Sequence, residues 1–396
     1  MTEGRQLGIG PSLLVVLAAF VVGQLPLLYA TTTTKHPEPP VIMDPIDAAS
    51  VETWGRYDTW LYLEVARTGP SLYHCSPEYW PADEWCGNSG WLPLYPGLVR
   101  ATTDVTPLSA EQAGAVIARL AYLGILALVW FGVFGRRWSP ATALAMALVA
   151  TAAGVIWLVA IFPISLTVLL ALASLLLLAR DRWALAGLAT GLAATAHTMG
   201  VIAFGVGGLC ILLDLFGGAT GTRVPWRTTL TRVVAYAAPA LACYLLMLGW
   251  YQWTVGEWAA PFMSQAKYGH ELQNPAAVVV DRVTMIWDAP LGTNHWQYVQ
   301  TALVAAAAVA VTVRSALSWS SLDRIERYLV VATLSFWIIP LSYGGELASY
   351  YRLEALALPA LILTWRLPRW VQAPLYVAFA VASYHVAQGF YIGVLI

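Results

Sequence analysis

Long apolar segments recur along the whole chain, separated by shorter polar stretches. They cover 11–30, 112–134, 141–161, 163–179, 184–216, 233–253, 299–313, 328–343, 353–365 and 371–393. Only 11% of the residues are charged, where a soluble domain carries roughly 25%. A helix needs about 20 apolar residues to cross a bilayer. The pattern predicts an all-α polytopic membrane protein and excludes a soluble enzyme and a disordered chain. The net charge of −1 also excludes a nucleic-acid binder.

The segment 184–216 is too long for a single crossing. As one straight helix it would reach about 50 Å at 1.5 Å per residue, whereas the hydrocarbon core is about 30 Å thick. His197-Thr198-Met199-Gly200 interrupts it near the middle. We therefore predict two short spans, 184–197 and 200–216, which raises the count to about eleven.

The basic residues predict which loops face the cytoplasm. With a cytoplasmic N-terminus and eleven alternating spans, the short inner loops are almost purely basic, as the positive-inside rule requires. We interpret 11–30 as an uncleaved span of a single transmembrane domain, 1–396; a signal peptide after Arg5 is the alternative. The two long polar segments, 31–111 and 254–298, then lie on the extracytoplasmic face of the cell membrane. Nucleotide sugars are absent there, so a donor must arrive in the lipid.

Asp58 occupies an unusual position in the first long segment. Residues 53–68 predict one helix, which Gly69-Pro70 ends. On a helical wheel Asp58 lies at the centre of an apolar stripe, with Arg56 and Arg67 on the opposite side. A carboxylate in an apolar setting is a better proton acceptor than one in water. We predict that Asp58 is a catalytic base; a capping or turn role at a helix start is the alternative.

Two other features of this segment are notable. Pro93 and Pro96 predict an extended turn that holds Tyr95 near the membrane surface, either as a substrate contact or within a structural re-entrant loop.

Cys75 and Cys86 lie outside the cytoplasm in this topology, where a disulfide is permitted. Two free thiols are the alternative.

Several of these residues together resemble a known family. Arg56-Tyr57-Asp58, with the residues that follow it to Gly69, resembles the first-loop motif of the PIG-V-like mannosyltransferases, which are GT-C glycosyltransferases related to the second GPI mannosyltransferase. Leu92-Pro93-Leu94-Tyr95-Pro96 with Arg100 resembles the second motif of that family. Phe162-Pro163, and Arg352 seven residues before Pro359, resemble two further motifs.

The resemblance implies a GT-C fold and an inverting transfer on the outer face. It also implies polyprenyl-phosphate-mannose as the donor and Asp58 as the catalytic aspartate. The chain departs from the family in two places. Ile164-Ser165-Leu166 follows Phe162-Pro163 where the family usually has an acidic residue, and His197 stands at a turn that usually carries an arginine.

A sugar phosphodiester needs a base on the acceptor hydroxyl and cationic or hydrogen-bonding groups around its phosphate. We predict donor contacts by Arg56, Tyr95, His197 and Arg352. A snorkelling interfacial anchor is the alternative for Arg352, and a neutral helix-terminus histidine is the alternative for His197. Arg119 lies within a span, where a charge is costly unless it is paired or faces water.

The second long segment offers side chains for the acceptor or for a lid, namely Trp258, Lys267, His270 and His295. An interfacial aromatic girdle is the alternative. Because no dense carboxylate cluster is visible, we expect neither a metal nor a cofactor beyond the lipid-linked donor. The expected partners are membrane lipid, that donor and a hydroxyl acceptor. The rival function is a flippase or transporter of a lipid-linked sugar or small solute, which would place ionisable groups in the middle of its spans.

Overall fold

The computed structural model describes residues 5–35, 46–78, 80–152, 154–216, 224–269, 271–288, 295–344 and 350–393. Helices dominate this part of the chain. The α-helices of the described residues are α1 (Ile9–Thr33), α2 (Thr59–Thr68), α3 (Leu94–Val105), α4 (Ala110–Ala127), α5 (Pro140–Ala150), α6 (Val155–Val159), α7 (Ile164–Ala179), α8 (Trp183–Ala196), α9 (Val201–Leu215), α10 (Trp226–Val255), α11 (Ala260–Ala266), α12 (Pro275–Asp288), α13 (His295–Leu317), α14 (Arg324–Ser342), α15 (Tyr350–Leu353), α16 (Leu358–Leu363) and α17 (Arg369–Tyr391).

Shorter elements connect these helices. A π-helical stretch, Leu128–Val133, continues α4. The 3-10 turns are Val51–Trp54, Thr198–Gly200, Trp319–Ser321, Glu354–Ala357 and Thr364–Arg366. Two-residue strands form three antiparallel pairs, which are β1 (Arg5–Gln6) with β4 (Arg137–Trp138), β2 (Tyr73–His74) with β3 (Trp85–Cys86), and β5 (Glu271–Leu272) with β6 (Tyr343–Gly344).

The predicted fold class, an all-α polytopic membrane protein, is confirmed. Among the described residues, six helices are long and apolar enough to cross a membrane, and α5, α7 and α8 are shorter apolar helices. Each of the eleven predicted segments coincides with helical structure. Two of them are broken, however, since 141–161 contains α5 and α6 and 353–365 contains a 3-10 turn followed by α16. The count of eleven spans stays a prediction.

The predicted interruption at His197 is present. Helix α8 ends at Ala196, and a 3-10 turn leads into α9. The chain packs closely at this turn, because a Cβ on Gly200 would overlap the backbone carbonyl of Ala193. The break therefore lets α8 and α9 serve as two short helices in place of one overlong span.

Polar contacts gather at two ends of the helical bundle. At one end Arg324 donates to Asp214 at 2.5 Å and to Asp181 at 3.0 Å, and Arg366 pairs with Glu326. Helix α14 starts with Arg324 and leads at its other end into strand β6, which pairs with β5. The β5–β6 pair therefore lies at the opposite end of the bundle from Arg324. We call these the Arg324 end and the Asp58 end. Which of the two ends faces the cytoplasm stays a prediction.

Small residues let the helices of the bundle approach closely. A Cβ on Gly187 of α8 would overlap the backbone carbonyl of Tyr236 in α10, and one on Gly207 of α9 would overlap the Tyr236 ring. The Tyr236 hydroxyl donates to the Ala203 carbonyl at 3.1 Å. Small residues at such contacts are typical of membrane helices, where close packing replaces the hydrophobic effect.

Candidate active site

The backbone turns sharply just before Asp58. Tyr57 has a φ of 53°, which is uncommon for a residue with a side chain. Helix α2 begins only at Thr59, whose hydroxyl donates to the Ile161 carbonyl at 3.1 Å. The prediction of one helix over 53–68 is therefore wrong, because the left-handed turn separates the 3-10 turn from α2. Asp58 precedes the helix, and its side chain makes no capping hydrogen bond.

Asp58 forms an ion pair with Arg352. The Nη1 of Arg352 donates to Oδ2 of Asp58 at 2.6 Å, although the two residues are 294 positions apart in the chain. The side chains are 32% and 20% exposed for Asp58 and Arg352. The expected apolar setting of the carboxylate is thus wrong, because a half-buried guanidinium faces it. Among the described residues, Nε of Arg352 is buried without a hydrogen-bond partner.

Aromatic rings flank this ion pair. The guanidinium carbon of Arg352 lies 5.7 Å from the ring centre of Trp157 and 5.8 Å from that of Phe162. Such cation–π contacts stabilise a cation that is partly removed from water. The Phe162 ring meets Tyr62 edge-on at 6.0 Å, and Tyr62 meets Tyr95 in the same way at 5.9 Å. Residues from all four resembling motifs thus meet around one point.

Two tyrosine hydroxyls lie near Asp58. Burial raises the pKa of the Tyr62 hydroxyl, and the charge of Asp58 raises it further. The same two causes, in the same order, raise the pKa of Tyr268. Both hydroxyls therefore stay protonated and can donate hydrogen bonds. Sequence reasoning placed Tyr62 on the apolar stripe without a catalytic role, and it overlooked Trp157, since a single aromatic residue in an apolar segment carries no distinguishing pattern.

The charge of Arg352 acts electrostatically on the ring of His197. Burial, together with that charge, lowers the pKa of His197 to about 3. Its Nδ1 accepts a hydrogen bond from the backbone N–H of Met199 at 3.2 Å, which requires a ring without a proton at that nitrogen. The structure favours the neutral helix-terminus histidine over a cationic phosphate ligand.

Arg56 and Tyr95 lie behind the ion pair. Arg56 is buried, and it donates through Nε to the Tyr391 carbonyl at 3.1 Å and through Nη1 to the Glu52 carbonyl at 2.6 Å. These bonds tie the first long segment to the C-terminal helix. Tyr95 is fully buried, and its hydroxyl donates to the Gly114 carbonyl at 2.9 Å. Both residues support the walls of the site, and donor contact by either one stays a prediction.

The turn predicted at Pro93 and Pro96 is also different in the structure. Helix α3 begins at Leu94, so Pro96 lies in its first turn. The first turn tolerates proline, because the backbone N–H groups there have no partner within the helix. The prolines therefore start α3 rather than prevent a helix, and this start places Tyr95 against Gly114 and Tyr62.

Gln300 supports the segment that carries Arg352. Its Nε2 donates to the Tyr351 carbonyl at 2.8 Å and to Oε2 of Glu354 at 2.7 Å, and its Oε1 accepts from the backbone N–H of Gly154 at 3.0 Å. All three bonds are buried. Gln300 thereby fixes the residues on both sides of Arg352. Sequence reasoning missed it, because one glutamine within a span has no motif around it.

The two long segments meet above the site. A disulfide joins Cys75 and Cys86, with the Cα atoms 4.9 Å apart. The amine of Lys267 lies 3.4 Å from Sγ of Cys86 and 5.7 Å from the ring centre of Trp80. Burial lowers the pKa of Lys267, and the charge of Glu84 opposes that effect. We call this assembly of Cys75, Trp80, Cys86, Lys267 and Tyr268 the lid.

The other predicted residues are dispersed. Trp258 is 53% exposed. His295 is buried at the start of α13, and its Nδ1 has no hydrogen-bond partner among the described residues. His270 lies outside the described residues. Arg119 packs over the Trp54 ring at 4.7 Å, which gives its charge a structural partner inside the bundle.

A cavity of about 590 Å³ opens beside His197. It lies between α9, α10 and α11, and its lining is largely apolar. The lining includes Thr198, Met199, Tyr244, Met247, Phe262 and Gln265. Such a cavity can hold part of an apolar chain.

Comparison with known proteins identifies the fold. No protein-family model matches the chain, and no curated protein sequence matches it either. Solved structures of the oligosaccharyltransferase of Archaeoglobus fulgidus are similar over almost the whole chain. The apo form matches 96% of this chain at 13% identity, with a TM-score of 0.54. The form tethered to an acceptor peptide with the NVT sequon matches 98% of it at 12% identity, with a TM-score of 0.52.

A third structure shows the same archaeal protein with an inhibitory peptide and a dolichol-phosphate. It matches 96% of this chain at 13% identity, with a TM-score of 0.50. The chain spans 56% of the length of these neighbours. At this identity the likeness concerns the fold alone. The protein therefore has the fold of a GT-C glycosyltransferase.

Proposed function

We propose that this protein is a membrane-embedded inverting glycosyltransferase that moves mannose from polyprenyl-phosphate-mannose to a hydroxyl acceptor on the outer membrane face. The observation that carries the proposal is the Asp58–Arg352 ion pair. It unites a potential base with a potential phosphate ligand at 2.6 Å. An apolar cavity opens at Thr198 and Met199, beside His197, whose pKa responds to the charge of Arg352. The dolichol-phosphate bound to a protein of the same fold supports a lipid-linked donor.

The reaction needs one base and one anion-stabilising group. Asp58 takes the proton of the acceptor hydroxyl, whose oxygen attacks the anomeric carbon of the donor sugar. The bond between that carbon and the phosphate oxygen breaks, and the polyprenyl phosphate leaves with the electron pair. Attack from the face opposite the leaving group inverts the anomeric centre. One carboxylate suffices here, unlike the pair of carboxylates in glycoside hydrolases.

Arg352 stabilises the departing phosphate. A guanidinium has five N–H donors, so it can contact Asp58 and a phosphate together. Trp157 and Phe162 restrict its position, and Gln300 fixes the backbone beside it. A group preorganised in this way stabilises developing charge without reorganisation during the reaction. The neutral His197 has no role in binding the phosphate here, and its Nδ1 instead holds the turn through the N–H of Met199.

The lid side chains surround the sugar. Tyr62 and Tyr268 remain protonated, and they offer hydrogen bonds near Asp58. The faces of aromatic rings suit the C–H face of a hexose. The lid also limits the access of water, which would otherwise compete with the acceptor for the donor. The choice of mannose rests on the PIG-V-like motif residues and is part of the proposal.

The rival function is the movement of a lipid-linked sugar across the bilayer. A transporter places ionisable groups in the middle of its spans, often on broken helices that face each other. In this chain Asp58 and Arg352 lie at one end of the bundle, and Arg119 packs on Trp54. These placements favour the transferase.

The test uses purified full-length protein with polyprenyl-phosphate-mannose, polyprenyl-phosphate-glucose and a panel of lipid, sugar and peptide alcohols. Mass spectrometry detects a gain of one hexose, and NMR gives the anomeric configuration of the product. We expect transfer from the mannose donor alone, with inversion. Transfer from the glucose donor alone overturns the mannose assignment, and retention overturns the direct displacement. Donor translocation in vesicles without any hexose gain supports the transporter.

A further inference from the structure

The C-terminal half of α10 presents an apolar groove on the face away from the His197 cavity. That cavity uses Tyr244 and Met247 of α10. On the opposite face a shallow depression of about 600 Å³ is formed by α10 alone, through Ala242, Leu245, Leu246, Gly249, Trp250 and Trp253. We call it the α10 groove. Leu246 is 74% exposed and Trp253 is 86% exposed, so its floor is open to the bilayer.

The α10 groove continues towards the Asp58 end. Trp250 also lines a second cavity, of about 380 Å³, between α2, α3 and α10. Its other walls include Val65, Ala66, Pro93, Pro96, Gly97 and Arg100. A Cβ on Gly97 or on Gly249 would meet no atom within 4 Å, so both glycines border open space. Because the two cavities share Trp250, together they extend from the exposed face of α10 to Arg100, and we call them the path.

Arg100 gives this path a charged end. Its side chain is exposed and has no ion pair or hydrogen bond within the described ranges. Arg67, an exposed arginine on the neighbouring helix α2, is by contrast paired with Glu111. A cation at the end of an apolar groove complements an amphiphile with an anionic headgroup. A basic residue near a membrane surface attracts an anionic lipid by about 1 kcal/mol, which corresponds to a factor of about five in affinity.

We propose that this path is a binding site for one anionic membrane phospholipid. Its acyl chain lies in the α10 groove, and its phosphate group lies at Arg100. The lipid would pack against Val65 and Ala66, which belong to the helix that follows Asp58. The α10 groove is separate from the proposed donor cavity, because the two use opposite faces of α10. Its occupancy does not depend on the transfer reaction.

The headgroup is tested by native mass spectrometry of the full-length protein titrated with dioleoyl phosphatidylglycerol or dioleoyl phosphatidylcholine. We expect the wild type to retain phosphatidylglycerol preferentially. Arg100→Gln should lower that retention about fivefold, for the electrostatic reason given above, and should leave phosphatidylcholine unchanged. The matched control Arg67→Gln should behave like the wild type. Equal retention of both lipids, or an unaffected Arg100→Gln, overturns the proposal.

The tail is tested by filling the path. Gly97→Leu and Gly249→Leu place a side chain in open space, and both should reduce phosphatidylglycerol retention. Gly205→Leu is the matched control, since Gly205 of α9 also borders open space but lies outside this path. Equal effects of all three substitutions contradict the site. Inorganic phosphate is added as a competitor, and displacement of the lipid at equal molar concentration would mean a soluble-anion site instead. Because retention is measured without a sugar donor, failure here and failure of the proposed transfer are distinguishable.

Discussion

At the scale of single residues, Arg352 has the most contacts that bear on function. It pairs with Asp58 at 2.6 Å and lies between the rings of Trp157 and Phe162. A planar guanidinium suits both interactions, because it stacks on rings and presents several donors at fixed angles. Arg352 therefore contributes the planar geometry of its guanidinium as well as its positive charge.

Substitutions at Arg352 should separate charge from geometry. We expect Arg352→Gln to lower kcat by about a hundredfold or more, the usual cost of removing one preorganised donor to a developing anion. Arg352→Lys should recover only part of the rate, because an ammonium cannot bridge Asp58 and a phosphate in the same geometry. Initial rates of hexose transfer give the comparison, with Arg67→Gln as the control. Full activity of Arg352→Gln would contradict the assigned role.

The low pKa of His197 predicts how the stability of the fold changes at acidic pH. The folded protein keeps this ring neutral down to about pH 3, whereas an unfolded chain protonates it near 6.5. Between these values the unfolded state binds more protons, so His197 contributes to a loss of stability as the pH falls from about 6.5 towards 3. The melting temperature of the wild type should fall more steeply over this window than that of His197→Gln. Parallel curves would contradict the neutral buried ring.

At the scale of elements, local sequence signals predicted where a helix is interrupted better than where a helix begins. The turn at His197 followed from the length of 184–216, and the structure has it. The start of α2 did not follow, because the left-handed Tyr57 is held by tertiary contacts with the rings of Trp157 and Phe390. The extended turn predicted at Pro96 is also absent, because this proline lies in the first turn of α3. The ion pair of Asp58 could not be predicted, since its partner is 294 residues away.

Close packing at the α8–α9 turn gives a stability prediction. Gly200→Ala places a methyl group against the Ala193 backbone, which cannot retreat without moving α8. Overpacking of this kind costs about 1–3 kcal/mol. Gly205→Ala in α9 is the matched control, because its methyl group meets open space and alanine favours a helix. Thermal unfolding in detergent should show a lower midpoint for the first variant alone, and equal midpoints would contradict the packing.

The disulfide of the lid gives a second prediction at this scale. Cys75→Ser with Cys86→Ser opens a short loop, and the free energy of unfolding should fall by about 2–3 kcal/mol in the chain-entropy model. Proteolysis should cut the loop around Trp80 faster in this variant. The control Cys243→Ser changes a free thiol and should leave the rate of cutting as in the wild type. Unchanged proteolysis of the double variant would show that other contacts hold the lid.

At the scale of the whole molecule, the placement of charge organises the fold. Buried ion pairs of Asp214 and Glu326 join the helices at the Arg324 end, and the Asp58–Arg352 pair joins them at the other. The positive-inside rule predicts from the sequence that the basic loops share one side of the membrane, and the side on which they lie stays a prediction. Only the resemblance to the PIG-V-like family led us to expect that the four motifs, which contain Asp58, Tyr95, Phe162 and Arg352, lie together in space. The walls made by Trp157 and Gln300 depend on packing between distant helices, so no local sequence pattern indicates them.

The central claim is that the Asp58 carboxylate is the base of a hexose transfer, and Asp58→Asn tests it most directly. The amide keeps the shape of the side chain and removes its basicity. The rate of hexose transfer from polyprenyl-phosphate-mannose should fall by about 10²–10⁴-fold, the usual contribution of a general base. Asp104→Asn, which changes an exposed acid of α3, should leave the rate unchanged. A folded Asp58→Asn variant that transfers hexose at the wild-type rate would contradict the account.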